Sequence, residues 1–232
     1  MAKGLAGGVI GKLFLVSCYD YEDAGWYAGH AFFVYTSYIN DNVDLSTLEN
    51  GWSKIDSDIN WSKDNITKDA SPLGNYTFKV GESVTIGNGA FGKGSGSGDV
   101  SGSDGDSSWE FGTEDEANGV AYNMEVAKYV WYEIDYLANT YICEDITEDD
   151  LEELISYCSK DSVSYWTLTH NCAEVACNAW NLISDVKVSA KNKSFYLGAF
   201  ATPKGLKINL RTLSNSAEDY SLADALIVKE RG

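Results

Sequence analysis

The chain has 232 residues, 44% apolar and 13% aromatic, which is enough for a full hydrophobic core in one domain spanning 1–232. Its net charge of −18 disfavours nucleic acid and anionic membrane as partners, and no apolar run reaches the length of a membrane span. Five cysteines, an odd number without a C-x-x-C pair, do not form a disulfide framework.

In chain order, Lys12 to Cys18 reads as a buried first strand. Leu15-Val16-Ser17-Cys18 also fits a bacterial lipoprotein cleavage box with Lys3 as its positive start. Lys12 interrupts the apolar region such a signal needs, however, and glycines dilute it, so no targeting segment is expected. Location is left open between the cytoplasm and a mature form whose leader was removed. After a loop, His30 to Tyr38 is dense in aromatic and β-branched residues and predicts a central strand. Period two puts His30 on one face with Phe32, Val34 and Thr36.

Residues 39–70 are polar and read as a long surface excursion with marginal structure of its own; Asn75 to Val80 and Ser83 to Ile86 read as two strands joined at Gly81-Glu82. Residues 87–118 are mostly loop, since GKGSGSGDVSGSDGDSS is flexible by composition. Asp104 and Asp106 do not make a calcium-hand loop, because its glycine and closing glutamate are misplaced. The charge concentrates here: residues 99–161 hold 18 acids against 2 bases, whereas 186–232 hold 4 against 8. Val120 to Met124 predicts a further strand, and Glu125 to Leu137 satisfies both helical and strand periods. Thr147 caps a helix through Ser159, with Glu148, Asp149 and Asp150 in its first turn and Leu151, Leu154, Ile155 and Cys158 as its apolar face.

Tyr165 to Thr169 reads as extended. Asn171 then caps a helix, and Glu174 can reach back to complete a capping box. Cys172, Val175, Ala176, Ala179, Trp180 and Ile183 form the inward face of that helix. The tail holds a strand-like SFYLGAF, a turn at Thr202-Pro203 and a last helix near Pro203 to Leu213.

Cys172 as first helical residue has a chemical consequence. A helix N-terminus carries about half a positive charge and free N–H groups, which favour thiolate over thiol. A nucleophilic thiolate also needs a base, usually an imidazole, and the chain has two histidines. His30, on a central strand, is the candidate partner for acyl transfer. The Cys172 N–H can help hold an oxyanion, and Asn171 is a second candidate donor unless it is spent capping its own helix. His170, two residues before the cysteine, would need an unusual turn to reach the sulfur. A zinc site from His170, Cys172 and Cys177 lacks a clear fourth ligand. The bland alternative is a buried cysteine and a satisfied core histidine.

GHAFFVY followed much later by LTHNCAEVACNAWN resembles the circularly permuted branch of the NlpC-type papain-like superfamily, in which the histidine strand precedes the cysteine helix. Lecithin retinol acyltransferase and several bacterial cysteine hydrolases share that order. ESVTIGNGAFG, GVAYNMEVA and ATPKGL look like accessory blocks of a bacterial group in this superfamily, so the resemblance runs from about residue 12 to 210. It implies an α+β permuted papain-like fold, an antiparallel sheet carrying His30 with the Cys172 helix packed on it. It implies a cysteine hydrolase or acyltransferase acting on an amide or ester, with a cell-wall peptide or isopeptide as the leading substrate class and no cofactor or metal. Cys172 would be the nucleophile and His30 the general base and acid.

The family pattern includes a third polar residue that orients the histidine. Asn123 is the first choice, with Asn88 and Thr85 weaker, and Glu125 shares a face with Asn123 if that segment is extended. Two alternatives stand beside the hydrolase. One is a binding module that has kept the fold and lost the chemistry. The other is acyl transfer to or from a lipid, for which no long amphipathic stretch offers support.

Overall fold

The computed structural model describes residues 8–18, 29–50, 75–90, 118–123, 125, 140–163, 170–191 and 200–217. Its centre is a pair of long strands, β1 (Val9–Cys18) and β2 (His30–Ser37), antiparallel with Phe14 opposite Val34 and Cys18 opposite His30. Both faces of β2 are buried apart from Thr36, as its aromatic and β-branched content demands. Cys18, buried at the end of β1, belongs to this sheet as a core residue.

Next come β3 (Asp41–Asp44), β4 (Glu49–Asn50), β5 (Asn75–Phe78), β6 (Ser83–Ala90), β7 (Asn118–Tyr122) and β8 (Thr140–Thr147). Six strands form one sheet in the order β4-β7-β6-β2-β1-β8, antiparallel except for the short β4–β7 pair. β3 and β5 pair separately.

Several sequence expectations change here. Residues 39–70 begin with structure, since β3 and β4 lie there and Val43, Leu45 and Leu48 are buried. The two strands flanking Gly81-Glu82 are not a hairpin: β5 pairs with β3, while β6 joins the main sheet between β2 and β7. β6 also runs on to Ala90, into the stretch read as loop. β8 was not foreseen at all.

Three α-helices have both ends among the described residues, α1 (Glu148–Cys158), α2 (Cys172–Ile183) and α3 (Pro203–Leu210), with a short 3-10 turn at Asp161–Val163 after α1. α1 starts as its sequence requires. Thr147 Oγ1 accepts from the Asp150 N–H, and the Asp150 carboxylate accepts from the Thr147 N–H at 3.0 Å, a capping box with aspartate in the usual glutamate position. Its buried face is Leu151, Leu154, Ile155 and Cys158. α3 stops at Leu210, shorter than expected.

The helices pack on the sheet face that carries Leu13, Leu15, Ala31, Phe33, Tyr35, Ile86 and Ile142, which share one core with Leu154, Val175, Trp180 and Leu206. By alternation the opposite face of β1 and β2 carries Val16, His30, Phe32 and Val34, also buried. The chain is thus an α+β fold with a mainly antiparallel sheet. The readings of Tyr165 to Thr169, of Glu125 to Leu137 beyond Glu125 itself, of SFYLGAF before its final Phe200 and of Asp104 and Asp106 lie outside the described residues. Among the described residues no helix is long and apolar enough to cross a membrane.

Candidate active site

α2 begins where the sequence places it. Asn171 is extended (φ −124°, ψ 177°), and its Oδ1 accepts from the N–H groups of Ala173 (3.0 Å) and Glu174 (3.2 Å). Its Nδ2 donates to the Ala201 carbonyl at 2.8 Å. Both ends of the Asn171 amide therefore hold the helix start, which answers the choice between cap and oxyanion donor in favour of the cap. Glu174 turns toward His170, with Oε2 3.2 Å from Nδ1, rather than serving as the expected capping-box partner. Cys172 is the first residue of the helix, only 6% exposed.

His30 opens β2, directly after Gly29, whose φ of 104° favours glycine. Its ring stacks on Phe32 with centroids 5.3 Å apart and planes 18° from parallel. Nε2 lies 2.7 Å from Glu125 Oε1, and the Glu125 side chain is fully buried. His30 also interacts with Cys172 by hydrogen bonding and by charge.

Burial, the largest single influence on His30, works against a charged ring. Hydrogen bonding and charge attraction from Cys172, and then from Glu125, together outweigh it and push His30 up to about 9. Elsewhere in the core, burial pushes Cys158 up to about 12, and burial reinforced by Cys172 and Glu174 pushes Cys177 up to about 12.

Asn123, the first choice for orienting the histidine, sits elsewhere. It is buried in a left-handed conformation (φ 55°) just past β7. Its N–H donates to the Thr85 carbonyl at 2.8 Å, and its Oδ1 accepts from the Thr85 N–H at 3.3 Å. The side chain thus continues the ladder between β6 and β7 in place of a further residue. The left-handed turn ends the strand, which is why an extended alternation failed: Glu125, now helical, is the residue delivered to His30. Asn88, a weaker choice, donates instead to the Val163 carbonyl at 3.0 Å. Thr85 lies in β6 opposite Val34.

The His170, Cys172 and Cys177 zinc option is not assembled, since among the described residues no three His, Cys, Asp or Glu side chains are placed to share a metal ion. A small space of about 10 Å³ adjoins Cys172, bounded by Phe32, Ile86, Gly87, Asn88 and Val175 among others. The chain matches no protein-family model, no curated protein and no solved structure.

Proposed function

We propose that the chain is a cysteine-dependent hydrolase of permuted papain-like order, acting on an amide or ester of peptide character. One observation carries this reading. A buried imidazole is shared between a cysteine at a helix N-terminus and a fully buried carboxylate.

In the proposed cycle the Cys172 thiolate attacks the substrate carbonyl carbon, and the carbonyl π pair moves to oxygen. The helix start helps hold that oxyanion. Asn171 Oδ1 takes the Ala173 and Glu174 amides, which leaves the Cys172 N–H for the task. His30 gives its proton to the leaving amine or alcohol as the C–N or C–O bond breaks, producing a thioester. It then takes a proton from water as the water attacks, and the thiolate leaves with its electron pair. Glu125 takes the orienting role for which Asn123 was the first choice.

A binding module that has kept the fold without the chemistry draws support from the burial of Cys172, 6% exposed. Incubation with peptide thioesters and activated esters, followed by intact-mass analysis, separates the two. A hydrolase accumulates an acyl adduct that maps to Cys172 and disappears in Cys172→Ala, and a module forms none.

A further inference from the structure

The glycines at 81 and 87 serve different ends. Gly81 has φ 85° and open space where a Cβ would go, so the backbone explains it. Gly87, in the middle of β6 and opposite Phe32, has no left-handed backbone to justify it. A Cβ there would collide with Glu125 Oε1, lie 2.9 Å from Glu125 Cδ and stand 3.2 Å from His30 Nε2.

We propose that Gly87 is a positioning residue of the site: the side chain missing from β6 is the space in which the Glu125 carboxylate lies against His30. The inference deepens the proposed hydrolase and rests on that reading for its catalytic meaning, though its geometry does not depend on turnover. Glu125 is fully buried, and its Oε2 has no hydrogen-bond partner among the described residues. The carboxylate is therefore held in place by Oε1 and His30 on one side and by the bare Gly87 backbone on the other. A methyl group at 87 pushes the flexible end of Glu125 away and breaks the contact with the ring. His30 Nε2, 3.2 Å from that methyl, gives by only a few tenths of an ångström. Gly87 acts through Glu125 and touches no substrate.

The test compares native protein, Gly87→Ala and the double variant Gly87→Ala/Glu125→Asp by NMR titration of the His30 ring, with His170 as internal control. Aspartate is one methylene shorter, so it fits beside an alanine at 87. Gly87→Ala should lower the His30 midpoint by about one pH unit or more, because the ring loses a neighbouring negative charge. The double variant should recover a large part of that shift. A folded Gly87→Ala protein with the native midpoint overturns the proposal, and so does a double variant that shows no recovery. If Gly87→Ala does not fold, Gly87→Ala/Glu125→Ala decides. Folding restored by removing the collision partner supports the proposal, and continued failure to fold overturns it. Absence of an acyl adduct on the native protein would sink the hydrolase reading while leaving this titration to be read on its own.

Discussion

His30 Nε2 and Glu125 Oε1 stand 2.7 Å apart with both side chains out of solvent, joined across 95 residues of chain. A charged pair removed from water is expensive to break, since the surviving partner stays buried without its counter-charge.

Glu125→Ala should therefore destabilise the protein by about 3 kcal/mol, near the lower end for loss of one partner of a buried pair. Glu125→Gln keeps a hydrogen-bonding group against the ring and should cost about half as much. Urea unfolding of the two variants checks the order. Equal costs would mean that the charge on Glu125 contributes nothing.

The pH dependence follows from the direction of the His30 shift. Folded, His30 holds its proton to about 9, against an ordinary value of 6.5. The stability it contributes is thus complete below 6.5 and is lost as pH rises through 9, because the folded state then holds a proton the unfolded chain has released. Glu125→Gln should narrow that window from its upper end. With only two histidines in the chain, ring NMR resolves the titration directly. A native His30 midpoint below neutral pH contradicts the ion pair.

How legible this was depended on how local each signal is. The starts of α1 and α2 and the inward positions of Cys158 and Cys172 were written in caps and a 3.6-residue period, and these involve near neighbours only. β8 was hidden because its inward positions include Glu144, an acid half-buried through a 2.6 Å hydrogen bond from Ser184 Oγ. β3 carries one apolar residue in four and pairs with a strand more than 30 residues away, so its pattern carried no signal. The two strands joined at Gly81-Glu82 were legible but not their partners: the turn's amides bond to the Ser37 and Lys79 carbonyls, sending the chain from one sheet into the other. Glu125 was the costliest loss. Its position depends on a left-handed residue at 123, and hydrophobic alternation says nothing about that.

Asn123 offers a direct check on that turn. Asn123→Ala should cost about 1–3 kcal/mol, since a Cβ residue without a local hydrogen bond is strained at positive φ. Asn123→Gly relieves the strain and loses only the bond to the Thr85 N–H, so it should be the milder change. Thermal melts of both variants read the difference. Alanine tolerated as well as glycine would contradict the left-handed assignment.

The helix start can be probed without touching the reacting atoms. Asn171→Ala removes the acceptor for the Ala173 and Glu174 amides and the bond to Ala201, and should cost about 1–2 kcal/mol. Asn171→Asp keeps the cap acceptor and should recover part of that stability. Chemical denaturation of the pair separates capping from the tie to Ala201.

The most direct test of the central claim is the rate of iodoacetamide alkylation at each cysteine against pH, read by mass spectrometry, for native protein and His30→Gln. The glutamine amide can still donate to Glu125, so the fold keeps that contact. Cys172 should react fastest below pH 7 and lose that advantage in His30→Gln, while Cys158 and Cys177, both pushed up to about 12, stay inert. A Cys172 as inert as those two, or one that reacts alike with and without His30, would contradict the thiol–imidazole pair and the hydrolase with it.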